Sequence, residues 1–155
     1  MEAREILEQV KTGEISVSEA ESYFRRQPLE ELGYAKLDTH RKLRSGFAEV
    51  VFCSGKADEH LLRIYERIYE AEGEVLGTRA SKEQAALIQD KFSEAEYDAL
   101  SRILKIEKKD KKRIGQIAVC TAGTADIPVA EEAAQTAEFF GNRIERIYDV
   151  GVSGI

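Results

Sequence analysis

The stretch from Ile117 to Val152 constrains the fold most, because it sets an apolar run, a glycine turn, a small-residue helix and a second strand in one order. Ile117, Ala118, Val119 and Cys120 read as a buried strand, left by the turn Thr121-Ala122-Gly123-Thr124-Ala125-Asp126-Ile127-Pro128. The helix that follows places Ala130, Ala133, Ala134, Ala137 and Phe140 on its inner face, and small side chains let a helix lie close on a parallel sheet. Gly141 closes the helix, and Arg143 to Val152 supplies the next strand, with Ile144, Tyr148, Val150 and Val152 on alternate positions. This is the first βαβ part of a doubly wound, parallel-sheet domain of the α/β class. Two strands and one crossover helix cannot cover both faces of a sheet, so more of the same fold is expected after Ile155.

Upstream, Ala3, Ile6, Leu7 and Val10 recur at helical spacing before Gly13. Ser16 with Glu19 forms a capping box ahead of Val17, Ala20, Tyr23 and Phe24, a stripe that Pro28 ends. An N-terminal helical hairpin results, and a small α/β domain follows it. Phe47, Val50, Val51 and Phe52 read as a strand between Gly46 and Gly55, and Leu61, Leu62, Tyr65, Ile68 and Tyr69 as a helix stopped by Gly73. Val75, Leu76 and Thr78 suit a second strand, and Ser81 with Gln84 opens a helix carrying Ala85, Leu87 and Ile88. From Lys105 to Arg113 nearly every residue is charged, a composition that adds nothing to a core and marks an exposed connection, although a solvated helix end reads the same way. The expected division is therefore 1–107 for the helical and α/β domain and 108–155 for the start of the second.

An apolar fraction of 43% over 155 residues is enough to build a core. The net charge of −6 gives no long-range attraction for a phosphate backbone, which argues against nucleic acid as a partner. No apolar run approaches the roughly 18 residues that cross a bilayer, and Met1 to Val10 lacks the core of a signal peptide, so no membrane partner and a cytoplasmic location are expected. Cys53 and Cys120 have neither the number of a disulfide framework nor the spacing of a zinc site, and both are expected to be reduced packing residues. His40 and His60 have no partner at ligand spacing, so no metal site is expected.

Chemistry concentrates at the turn after Cys120. In a parallel sheet that turn lies at the carboxyl edge, where ligands bind and the exposed amides of a helix start favour an anion. Gly123 admits a phosphate close to the backbone, Thr124 adds a hydroxyl, and Asp126 fits an N-cap just ahead of Pro128. A capped turn without any ligand has the same sequence. Arg41, Arg44 and Lys56 also read two ways, as a site for substrate phosphate or carboxylate oriented by Asp38 and Glu49, or as a surface ion-pair network. Glu131 and Glu132 are accounted for by the dipole of the helix they begin.

Two long motifs carry a family resemblance. Ala122-Gly123-Thr124-Ala125-Asp126-Ile127-Pro128-Val129-Ala130-Glu131-Glu132-Ala133 is similar to the alanine-glycine-threonine-serine-aspartate loop of the LarB family, and Tyr148-Asp149-Val150-Gly151-Val152-Ser153-Gly154 resembles its next strand end. Leu37-Asp38-Thr39-His40-Arg41-Lys42-Leu43-Arg44-Ser45-Gly46-Phe47-Ala48-Glu49-Val50-Val51-Phe52, continuing to Gly55-Lys56, resembles that family's N-terminal signature. The family is pyridinium-3,5-biscarboxylic acid mononucleotide synthase of nickel-pincer cofactor synthesis, whose C-terminal domain resembles phosphoribosyl-aminoimidazole carboxylase and has a flavodoxin-like fold. The resemblance implies carboxylation of the pyridine ring of nicotinic acid adenine dinucleotide by carbon dioxide or bicarbonate, with cleavage of the phosphoanhydride to release adenosine monophosphate. It implies no tightly bound cofactor and a homo-oligomer. It also leaves room for a strand at Ile103 to Ile106, where Leu100, Ile103 and Leu104 otherwise fit a helix.

The family uses a cysteine thiolate that adds to the ring, and neither cysteine here occupies that place. The resemblance sets that nucleophile, and the histidine-arginine pair that follows the second motif, beyond Ile155. No catalytic residue is therefore expected within this chain, and the chain alone is expected to be inert. Ala48 stands for a usual proline, Ala57 for a usual threonine and Ala125 for a usual serine, the last removing one hydroxyl from the phosphate turn. The alternatives are a phosphoribosyl-aminoimidazole carboxylase of purine synthesis, whose small chain has no counterpart to the Asp38 to Lys56 signature, and a non-catalytic nucleotide-binding module.

Overall fold

The computed structural model describes residues 3–25, 29–31, 36–38 and 47–151. It is a mixed α/β structure, as the pattern of elements predicts. Contacts divide it between Glu49 and Val50. In the first unit, helices α1 (Ala3–Thr12) and α2 (Val17–Arg25) form the expected hairpin, followed by the antiparallel pair β1 (Leu29–Glu31) and β2 (Lys36–Asp38). Gly13 takes a left-handed φ of 78° after α1, and Ile6 and Ala20 are buried. The Ser16 box closes as read from sequence: Ser16 N donates to Glu19 Oε2 at 2.7 Å and Glu19 N donates to Ser16 Oγ at 3.1 Å.

The second unit holds two sheets. Strands β3 (Val50–Phe52), β4 (Val75–Thr78), β5 (Glu96–Asp98) and β6 (Ile103–Ile106) lie in the order β3-β4-β6-β5, with β3 and β4 parallel and the other pairs antiparallel. Helices α3 (Asp58–Glu72) and α4 (Lys82–Lys91) follow β3 and β4. Gly73 caps α3 at φ 69°, and Ser81 and Gln84 form the capping box of α4. The second sheet is the predicted crossover: β7 (Ile114–Cys120), a 3-10 turn (Thr124–Asp126), α5 (Ile127–Phe139) and β8 (Asn142–Ile147), with β7 and β8 parallel.

Helix α5 lies between the sheets. Its Phe139 packs with Leu76 and Ile103 of the four-stranded sheet, and its Glu131 and Glu138 pair with Arg146 of β8 at 2.9 and 2.7 Å. Ala130, Ala134 and Phe139 are its buried residues, whereas Ala133 is exposed and Phe140 only half-buried, so the inner face is turned from the one expected. Tyr65 of α3 covers the opposite face of the four-stranded sheet, over Gly77.

One open stretch is resolved and three expectations are corrected. The helical reading of Leu100, Ile103 and Leu104 gives way to a hairpin, because Asp98 accepts hydrogen bonds from the amides of Leu100 and Ser101 and from Ser101 Oγ, which turns the chain before a helix can start. Leu100 is consequently exposed while Ile103 and Leu104 are buried. The run at Ile117 is not a buried strand: β7 is exposed along most of its length, since α5 covers one face and among the described residues nothing covers the other. Cys120 is exposed with it and is not a packing residue. The strand expected to Val152 ends at Ile147, because Asp149 turns to a left-handed φ of 57°.

The charged run is an exposed connection only in part: Lys108, Lys109, Asp110 and Lys112 are exposed, as its composition predicts, but three of its residues are covered. Lys105, Glu107 and Lys111 are only 14, 13 and 17% exposed and pair with one another and with Glu74. Their charged ends neutralise each other under partial cover. The expected boundary at 107/108 falls where the chain leaves the four-stranded sheet, and both sheets belong to the Val50–Ile155 unit.

Candidate functional site

The turn after β7 is tied to the turn after β8. Thr121 is buried, its Oγ1 accepts the Asp149 amide at 3.0 Å and its carbonyl accepts the Val150 amide at 3.1 Å. The Ala122 carbonyl accepts the Gly151 amide at 2.8 Å. These bonds fix a platform at the carboxyl edge of the parallel pair, where an α/β sheet binds its ligands. Gly123 has extended backbone, and among the described residues a Cβ built there meets nothing within 4 Å. Thr124 and Asp126 are exposed beside it. Asp126 holds the N-cap position but makes no side-chain cap, because the 3-10 turn carries the chain into α5 through the Ile127 amide bonding Thr124 O. Its carboxylate is therefore available to solvent and ligand rather than spent on the helix.

A second carboxyl edge stands at the same end of the unit. Strands β3 and β4 are parallel with Phe52 opposite Thr78, so both finish there. Gln84, itself buried, donates from Nε2 to the Cys53 and Lys56 carbonyls at 3.1 and 3.2 Å, and the Cys53 amide donates to Thr78 O at 2.9 Å. Lys56 is thus held half-buried at this edge. Arg79 follows β4 and pairs with Glu132 at 2.8 Å. Because Glu132 is in the second turn of the helix that begins at the carboxyl edge of β7, the two edges share one end. The structure therefore brings Lys56 to the same end as Gly123, Thr124 and Asp126, while Arg41, Arg44 and His40 lie outside the described residues.

Glu131 and Glu132 do more than favour a dipole. They stand beyond the first turn of α5. Glu131 accepts from Arg146 Nε at 2.9 Å and from the Tyr148 hydroxyl at 2.6 Å. Partial burial and this carboxylate push the Tyr148 phenol up to about 12. Hydrogen bonds from Arg146 hold the Glu138 carboxyl below its ordinary value, against the opposing effect of burial.

Cys53 is not set up as a nucleophile, whereas Cys120 is exposed at the end of β7. Cys53 is buried with Sγ 3.6 Å from Val51 O and 3.8 Å from Tyr65 Oη, and burial raises its pKa, which disfavours the reactive thiolate. Among the described residues no three His, Cys, Asp or Glu side chains converge as a metal site, and no helix is long and apolar enough to cross a membrane. Sequence reading missed Arg79, Arg102 and Thr121. An arginine directly after a parallel strand, in Gly77-Thr78-Arg79-Ala80-Ser81, was the available signal for the first.

Residues 29–109 match the sequence profile of the LarB/PurE-like N-terminal domain, more than half of the chain. The chain belongs to this family. The matched segment covers the four-stranded sheet and ends inside the charged run, and membership relates the chain to carboxylase-type proteins. An uncharacterized protein of Methanocaldococcus jannaschii is 35% identical over 162 residues, an alignment spanning 98% of this chain and 62% of that protein.

Proposed function

We propose that this chain belongs to an enzyme that carboxylates the pyridine ring of nicotinic acid adenine dinucleotide and cleaves its phosphoanhydride, in nickel-pincer cofactor synthesis. Family membership supports the reaction class, and the observation that carries the site is the open backbone at Gly123 on a platform locked by Thr121. In this reading the Gly123 and Thr124 backbone and hydroxyl take a nucleotide phosphate, and Asp126 faces the ribose hydroxyls. Lys56, with Arg41 and Arg44, neutralises the remaining anionic groups of the substrate. Carbon dioxide or bicarbonate is the second substrate, no cofactor is held tightly, and the whole enzyme works as a cytoplasmic homo-oligomer. The match to a long N-terminal domain supports this reading over a purine-pathway carboxylase.

Gly123→Val separates ligand approach from folding. Since a Cβ at Gly123 meets nothing within 4 Å among the described residues and the backbone there is ordinary, the variant should melt like the wild type. Its affinity for nicotinic acid adenine dinucleotide in calorimetry should fall about tenfold or more, because the branched side chain stands where phosphate must approach. Unchanged affinity with the fold intact removes the site.

The 155-residue chain should release no adenosine monophosphate from the dinucleotide with bicarbonate present. Ring carboxylation needs a nucleophile against the pyridine, and Cys53 is sealed under Tyr65 while Cys120 lies on the open strand β7. Mass spectrometry for adenosine monophosphate and a dicarboxylated mononucleotide checks this. Turnover above that of a Cys53→Ser, Cys120→Ser double variant would give one of these thiols the catalytic role.

A further inference from the structure

We infer that Arg79 forms a second anion subsite at this end of the molecule, a guanidinium that takes phosphate or diphosphate oxygens in exchange for the Glu132 carboxylate. The inference rests on reading this end as a nucleotide site, although its chemistry can be probed with inorganic diphosphate alone. Arg79 is the first residue after β4, at the carboxyl edge of the parallel β3–β4 pair, with helices starting after both strands. That is where an α/β sheet places ligand contacts. The chain as a whole is acidic, with a net charge of −6, so an anion here depends on donors gathered locally.

The turn is built to aim this side chain. Arg79 and Arg102 both take left-handed backbone, with φ of 56° and 59°. L side chains avoid that region, and neighbouring structure must impose it. Arg102 does so with its guanidinium, donating from Nε to Ala80 O and from Nη2 to Arg79 O, each at 3.0 Å. Arg102 thereby commits two of its five donors to the backbone of the turn, whereas the Arg79 side chain makes no bond to that backbone and reaches Glu132 of α5 instead. Arg79 bonds Glu132 through Nε at 3.1 Å and Nη2 at 2.8 Å, and among the described residues Nη1 has no bond. Its side chain remains 43% exposed, against 19% for Glu132.

A carboxylate bound by Nε and one terminal nitrogen occupies the fork that two phosphate oxygens also fit. Glu132 can release the guanidinium at small cost, because the pair is open to water on the arginine side. Lys56 at the end of β3 and the amides of the Gly123 turn supply further positive potential at the same end. A dinucleotide carries two linked phosphates. The Gly123 turn offers contacts for one, and Arg79 offers a fork for the other.

The competing account is that the Arg79–Glu132 pair merely ties α5 to β4, and the two accounts predict opposite signs. Under the tie, Arg79→Ala and Glu132→Gln are equivalent breaks with equivalent effects on binding. Under the subsite, Arg79→Ala lowers affinity for inorganic pyrophosphate in calorimetry at least tenfold, Arg79→Lys falls between, and Glu132→Gln raises it severalfold by freeing the fork. Equal losses in Arg79→Ala and Glu132→Gln, an unchanged Arg79→Ala, or a wild type that binds no pyrophosphate would each overturn the subsite. Arg79→Lys keeps the charge and is the informative variant if Arg79→Ala does not fold. Nicotinic acid adenine dinucleotide forms the second arm. Arg79-dependent pyrophosphate binding without dinucleotide binding keeps the subsite, assigns it to free phosphate compounds and removes the nucleotide function. Dinucleotide binding lost in Gly123→Val but retained in Arg79→Ala keeps the function and removes the subsite.

Discussion

Replacing Gly77 with alanine should destabilise the protein by about 3 kcal/mol, the upper part of the usual range for overpacking a core, and valine there should prevent folding. Gly77 is in the middle of β4, and a Cβ built on it would lie 1.9 Å from Tyr65 Oη, 2.8 Å from Cys53 Sγ and 3.1 Å from Tyr65 Cζ. Tyr65 has nowhere to go. It is fully buried, and its hydroxyl donates to Leu104 O on the neighbouring strand at 2.9 Å. Moving the ring would break that bond and leave a buried hydroxyl without a partner, a further cost of about 1–3 kcal/mol. A Gly77→Ala, Tyr65→Phe double variant removes the nearest atom and should recover part of the loss, a coupling that a double-mutant cycle in urea measures. A wild-type urea midpoint for Gly77→Ala would refute the packing account. Because Arg79 directly follows β4, two residues beyond Gly77, a displaced β4 should also weaken pyrophosphate binding.

Signals that are local in both sequence and space read through directly. The Ser16–Glu19 and Ser81–Gln84 boxes and the Gly73 cap satisfy helix ends with residues three or four positions away, so spacing alone locates them. The crossover from β7 to β8 is likewise dictated by the order of its elements. Tyr97 to Ile106 was ambiguous because periodicity cannot see that Asp98 binds the following amides and reverses the chain. Which face of α5 is buried depends on two sheets at once, and a single apolar stripe does not reveal a helix packed on both sides. At the site, glycine, threonine and aspartate after a strand are a legible pattern, and Lys56 joined them through a motif. Arg79 was hidden because its position depends on Arg102, 23 residues away, and on Glu132, 53 residues away.

Lys111→Met should destabilise the Val50–Ile155 unit by about 3 kcal/mol or more, although the residue comes from the most charged part of the sequence. Composition placed this residue in solvent. In the structure its ammonium stands 2.6 Å from Glu74 Oε2, in a direction that makes the contact ionic rather than a hydrogen bond, and 3.8 Å from Glu107 Oε1. It also donates to the Phe139 carbonyl near the end of α5 and sits 4.0 Å above the Phe139 ring. Phe139 is the residue through which α5 packs on Leu76 and Ile103, so this one ammonium fastens the helix to the four-stranded sheet. The side chains of Lys111, Glu74 and Glu107 are 17, 12 and 13% exposed, and water screens little of their interaction. Methionine keeps most of the stem volume but leaves Glu74 covered without a compensating charge, while Glu107 keeps Lys105 and Arg113, and an unpaired buried charge costs more than the pair contributes. Restoring neutrality should therefore restore stability. The Lys111→Met, Glu74→Gln double variant should be more stable than Lys111→Met alone in urea unfolding at neutral pH. A Lys111→Met protein as stable as the wild type, with no gain from Glu74→Gln, would mean that Lys111 behaves like the solvated residues beside it in the charged run.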